Sequence, residues 1–219
     1  MKLFSRVQES RGFTIVELMV ATTVFTVIMV TVASVLVVFG NSQRKAINET
    51  NVQNATRDFV DRVAQSLQFE GKSVAGISNA DGTQGYCIGT TRYSFAPGRL
   101  VTSSSTHAAV VDRTTIGCGG AAQALRTGGT ITGTELLGER MRVANFAVSD
   151  IGQGLFTIQL RIVYGEDDLL CSQAVSGSCT SNGAMSTANL ARPDLECKAG
   201  VDSRFCAVSE LSTTVRSRL

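Results

Sequence analysis

From Leu18 to Phe39 the chain reads LMVATTVFTVIMVTVASVLVVF, 22 residues without a charge or a proline. About 20 such residues span a bilayer as a helix. After Asn41 the pattern changes, but its helical period does not stop. Residues 41–70 hold no proline or glycine, and Val52, Ala55, Phe59, Val63 and Leu67 recur three and four residues apart. That spacing makes one apolar helix face, flanked here by Arg57, Asp58, Asp61 and Arg62. The two parts together predict one helix from about residue 14 to 69, roughly 80 Å long at ~1.5 Å per residue. Gly71 is placed to end it, and Gly40 with Asn41 is a candidate bend.

Farther on, the period falls to two. In Leu155–Tyr164, Phe156, Ile158, Leu160, Ile162 and Tyr164 share one face of a predicted strand. Arg140–Val148 alternates likewise and is its expected antiparallel partner, joined through Asp150–Gly154. Further strands are expected at Thr91–Phe95, Ala108–Asp112 and Phe205–Val215. Gly71–Gly85 reads as a loop, and residues 117–134 as a glycine-rich segment with a short helix at Ala121–Leu125. The fold class that follows is α+β. An antiparallel sheet is laid on the C-terminal half of the long helix.

Composition sharpens this picture. The part after Asn41 is rich in Gly, Ser and Thr and has no Trp, which suits a β-rich domain with long loops. The net charge is +2, and Lys2, Arg6 and Arg11 against Glu9 account for it. So small an excess argues against a nucleic-acid partner. Its position before the apolar run keeps the N-terminus cytoplasmic and the bulk of the chain outside. Cys87, Cys118, Cys171, Cys179, Cys197 and Cys206 all follow that run. An even count beyond a membrane anchor favours disulfides. Zinc ranks well below, because there is no CxxC pair and His107 is the one histidine. Proximity suggests Cys171–Cys179 and Cys197–Cys206, with Cys87–Cys118 left over, among the 15 pairings six cysteines allow.

One acidic residue, Glu17, sits at the head of the apolar run, where a carboxylate is costly. Thr14 and Glu17 form T-x-x-E, a capping box at a helix start, and the helix dipole favours a carboxylate there. On those grounds alone Glu17 marks the first turn of a plain anchor. A cleaved secretory signal has an apolar core of roughly 7–15 residues, and this run is longer. Gly12, Phe13, Thr14 and Glu17, with the apolar stretch directly behind, resemble the class III signal of type IV pilins and type II secretion pseudopilins.

The resemblance implies cleavage between Gly12 and Phe13 by a prepilin peptidase, N-methylation of Phe13, and assembly through the apolar helix. Within a filament core, Glu17 would neutralise the new amine of a neighbouring subunit, since unpaired charges there are heavily penalised. The expected divisions are a leader at residues 1–12, a membrane and filament-core helix at 13–40, its amphipathic continuation at 41–70 and a β-rich extracytoplasmic domain at 71–219. The expected partners are other pilin subunits, the peptidase, a membrane assembly platform and, before assembly, the lipid bilayer. The membrane half lacks the proline that many major pilins carry, and removing 12 of 219 residues leaves a long subunit of 207. Both departures favour a minor pilin or a pseudopilin over a major pilin.

No pattern points to catalysis or a cofactor. His107 and Ser103–Ser105 lack an acid partner, and residues 117–134 lack the GK[ST] ending of a phosphate loop. Glu166, Asp167 and Asp168 have the chemistry of a calcium site, set against the plainer reading of a solvated turn. Arg216 and Arg218 are too few to argue for DNA. A membrane-anchored binding domain is the alternative from a different class, and an anchored enzyme ranks third.

Overall fold

The computed structural model describes residues 13–70, 74–78, 82–102, 108–113, 133–180, 183–199 and 205–218. Its first element, α1, runs unbroken from Ile15 to Phe69. Gly40 and Asn41 lie inside that helix, and Gly71 lies outside the described residues. The chain divides into two compact units, residues 1–43 and 44–219.

The first unit is an apolar rod. Its large side chains from Ile15 to Phe39 are exposed, and the helix is long and apolar enough to cross a membrane. Five hydroxyl side chains interrupt the run, and each is satisfied internally. Thr22 donates to the Met19 carbonyl, Thr23 to Val20, Thr26 to Thr22, Thr31 to Ile28, and Ser34 to Val30 and Thr31. Hydrocarbon offers no partner to a free hydroxyl, so this back-bonding lets the segment stay apolar outward.

In the second unit α1 buries Val52, Thr56, Phe59, Val60, Val63, Ser66 and Leu67, the stripe expected from three- and four-residue spacing. Among the described residues, three antiparallel sheets accompany it. The first contains β1 (Val74–Ser78), β2 (Gln84–Ile88), β3 (Thr91–Phe95), β4 (Ala109–Asp112) and β5 (Thr134–Glu135), in that order. The second comprises β6 (Met141–Gly152), β7 (Leu155–Tyr164) and β10 (Ala207–Arg216), with β7 in the middle. The third pairs β8 (Leu170–Ser172) with β9 (Leu195–Cys197), and one short helix, α2 (Thr187–Leu190), lies between them in sequence.

The main core joins α1 to the two larger sheets. Phe146 of β6 is its centre, with the rings of Phe59, Tyr86 and Phe95 at 5.0, 5.1 and 5.5 Å. The alternation along β7 sends Phe156, Ile158, Leu160 and Ile162 into this core. Val163 points the other way, into a second core with Ala144, Leu170, Met185, Leu190 and Leu195. The three-stranded sheet is therefore covered on both faces at its β8–β9 end. Disulfides Cys171–Cys179 and Cys197–Cys206 staple this smaller core. Such a bridge stabilises a short loop by about 2–4 kcal/mol.

The β6–β7 hairpin forms at Asp150–Gly154, as the alternation predicts. Gln153 and Gly154 take positive φ values of 56° and 70°, the pattern of a two-residue turn matched to strand twist. Two expectations need correction. Gly71–Gly85 is not a loop throughout, because Val74–Ser78 pairs with Gln84–Ile88. Its sequence, VAGIS, hides the strand because Gly76 and Ala75 break any alternation. The single sheet expected is three sheets, and β8 and β9 are three residues each, too short to show a period. Ala121–Leu125, His107, Ser103–Ser105 and Cys118 lie outside the described residues.

Candidate functional site

The site begins at the head of α1. Its first N–H groups have no partner within the helix. Thr14 supplies one from outside: its Oγ1 accepts the Glu17 N–H at 3.2 Å. Glu17 reaches back, and its Oε2 accepts the Thr14 N–H and the Thr14 hydroxyl, each at 3.0 Å. This is a complete reciprocal capping box. All of these bonds to the carboxylate fall on Oε2, and Oε1 takes none of them. Glu17 can thus hold its own helix end and still offer one oxygen to an external cation. Phe13 is 84% exposed, one residue ahead of the box, and Gly12 lies outside the described residues.

The remaining candidates serve the fold. Cys87 is disulfide-bonded, and no described cysteine is free. Glu166 and Asp167, proposed as oxygen donors for calcium, are committed to arginines. Arg140 Nε donates to Glu166 at 2.8 Å, and Arg142 donates to Asp167 at 2.7 Å. Their carboxylates serve ion pairs, and no cluster of three metal-ligating side chains exists among the described residues. Arg216 and Arg218 stand at the end of β10. The Arg218 guanidinium lies 5.6 Å from the centre of the Phe69 ring.

Two polar centres escaped the sequence reading. Arg142, on β6, has a fully buried side chain that also donates to the Gly98 and Gly165 carbonyls, tying two loops to its strand. It borders a cavity of about 380 Å³ with Pro97, Leu100, Thr187 and Leu190. Glu135 accepts four backbone N–H groups, from Ala108, Ala109, Leu136 and Leu137, at 2.7–3.1 Å. Arg142's partners and two of Glu135's four come from distant segments, so no local pattern announces them.

Residues 8–33 match the family described as the prokaryotic N-terminal methylation motif. None of the curated proteins and none of the solved structures matches the chain.

Proposed function

We propose that this chain, which carries at residues 8–33 the prepilin signal of type IV pilins and pseudopilins, is a minor subunit of a type IV pilus. The observation that carries the reading is the head of α1. A charged, half-committed carboxylate stands four residues beyond the exposed Phe13, and an uncharged rod follows it.

The methylation motif at residues 8–33 supports the following order of steps. The apolar helix anchors the chain in the membrane before assembly. A prepilin peptidase hydrolyses the Gly12–Phe13 peptide, which releases the leader carboxylate and leaves an ammonium on Phe13. Methylation retains the positive charge of that amine. When helices leave the bilayer and pack against one another, the ammonium of one subunit meets Glu17 Oε1 of its neighbour. In a low-dielectric core either charge alone is strongly unfavourable, so the pair fixes the axial register. The role is structural rather than enzymatic, and the partners are other pilin subunits and the machinery that inserts them. The mature protein stands in an extracellular filament, reached from a single-pass state with its N-terminus inside.

The lack of proline in the membrane half also fits a type II secretion pseudopilin, which would share every feature at the helix head. The N-terminal mass of the protein purified from its own cells tests the common reading. A chain starting at N-methylated Phe13 supports it, and a chain starting at Met1 overturns it. Recovery in sheared surface filaments separates the pilus from the secretion machine.

A further inference from the structure

The two edges of the β10–β7–β6 sheet differ. Along the outer edge of β6, the Val101 N–H donates to the Met141 carbonyl and the Gly98 N–H to the Val143 carbonyl. The opposite edge is β10, which pairs with β7 from Ala207 to Arg216 without a bulge. A free edge presents a row of backbone donors and acceptors, and proteins commonly guard it with proline, lysine or a bulge. β10 reads AVSELSTTVR and carries none of these.

The register says which groups point outward. Met141 and Val143 turn their carbonyls away from β7, so Arg142 between them pairs inward, opposite Val163. Odd-numbered residues of β7 therefore bond toward β6 and even-numbered ones toward β10, because successive residues alternate. The β10 partners of the even set are Ala207, Ser209, Leu211, Thr213 and Val215. The Ser217 N–H continues the same alternation by donating to the Gly154 carbonyl. Val208, Glu210, Ser212, Thr214 and Arg216 are left with N–H and C=O directed out of the sheet. Among the described residues, no backbone group outside the sheet bonds them.

A groove of about 340 Å³ runs beside this edge, between Val208–Leu211 of β10 and Gln53, Thr56 and Arg57 of α1. Arg57 is exposed and enters no ion pair among the described residues. Glu210, the acid lining the groove, is held by Arg161 at 3.2 Å. The groove thus offers an unmatched backbone row along one wall and an unmatched cation on the other.

We propose that the edge of β10 binds an extended acidic segment of a partner protein. The segment adds a strand to the sheet through main-chain bonds and sets a carboxylate against Arg57. A second copy of β10 fits less well. Its core-facing row is Ala207, Ser209, Leu211, Thr213 and Val215, with no acid to meet Arg57. The inference goes beyond the pilin reading and does not depend on which assembly the chain enters.

The test uses the full-length chain purified in detergent and the fluorescein-labelled peptide VTDTDTVT, followed by anisotropy. Saturable binding is expected. The neutral peptide VTNTNTVT and the chain variant Arg57→Glu should each weaken it by about tenfold or more, at least about 1.4 kcal/mol. Ser212→Pro removes an outward N–H and leaves the bonds to β7 in place, since proline is tolerated where an edge N–H faces solvent. It should weaken binding by a similar factor with an unchanged thermal melt. If that variant fails to fold, Thr214→Pro makes the same test. A peptide methylated on every backbone nitrogen should not bind, whatever the variants do. No saturable binding up to about 1 mM overturns the proposal, and so does equal binding of the methylated peptide. Equal binding of VTNTNTVT overturns the acidic occupant. A dimer of the chain that Ser212→Pro abolishes, with no binding of VTDTDTVT, gives the edge to a second copy instead.

Discussion

The Tyr93 hydroxyl lies 2.8 Å from Ser66 Oγ and 2.9 Å from the Arg62 carbonyl oxygen. Tyr93 stands on β3 and the other two on α1, so a buried polar tie fixes the first sheet against the helix. Packing alone would allow the helix to slide on an apolar surface. The hydroxyl gives it one position.

Tyr93→Phe keeps the ring but takes its partner from the buried Ser66 hydroxyl, while the Arg62 carbonyl keeps its helical bond. A buried group left without a partner costs about 1–3 kcal/mol. Chemical denaturation of the purified protein should show a loss in that range, with an unchanged m-value. A neutral result would mean that water reaches the site.

Burial raises the Tyr93 ionisation above its ordinary value near 10. The unfolded chain then ionises at lower pH than the folded one. Stability from this residue is complete below about pH 10 and is lost as pH rises through the folded value. Wild type should weaken above about pH 10 more steeply than Tyr93→Phe, measured by thermal unfolding at stepped alkaline pH.

Glu17 combines a helix cap with a negative charge, and two substitutions separate them. Glutamine can still accept from Thr14, whereas alanine cannot. Both variants should insert and be cleaved between Gly12 and Phe13. If charge sets assembly, both should fall about tenfold or more in sheared filaments, a loss of at least ~1.4 kcal/mol. A filament yield for Glu17→Gln equal to wild type would reduce the residue to a cap. Quantitative immunoblots of sheared and cellular fractions decide it.

Asp194 accepts the Ser172 hydroxyl at 2.5 Å and the Ala174 N–H at 3.1 Å. The Ser172 bond chiefly lowers its pKa below the ordinary carboxylate value. The sign is that of a depressed acid: its stabilisation is present above about pH 4 and disappears as pH falls through the folded value. Asp194→Asn should flatten the acid side of the stability profile. Parallel melts of both proteins between about pH 5 and pH 2 would reveal the difference.

The parts of the fold visible in the sequence are those with a long period. α1 shows apolar spacing over residues 52–67, and β7 alternates over ten residues. β1 is hidden because a glycine and an alanine occupy its centre, and its pairing with β2 is decided by backbone geometry. β8 and β9 exist because Leu170 and Leu195 fill a second core between disulfides, a tertiary cause that no short window contains. The methylation signal is legible because its residues are consecutive. The ion pairs of Glu166 and Asp167 are hidden for the opposite reason. The arginines that occupy Glu166 and Asp167 lie 26 and 25 residues upstream.

The five hydroxyls of the apolar rod spend their donors on their own backbone. Its surface consequently offers neighbours contact area but no directional bond. A helix of that kind behaves as a smooth shaft, free to turn about its axis or slide by a small step at little cost. Angular and axial positions must then be keyed by features at its extremities, the cap carboxylate at one end and the folded unit at the other. Subunit order in such an assembly is written in a few localised groups, while most of the cohesive surface is indifferent to it.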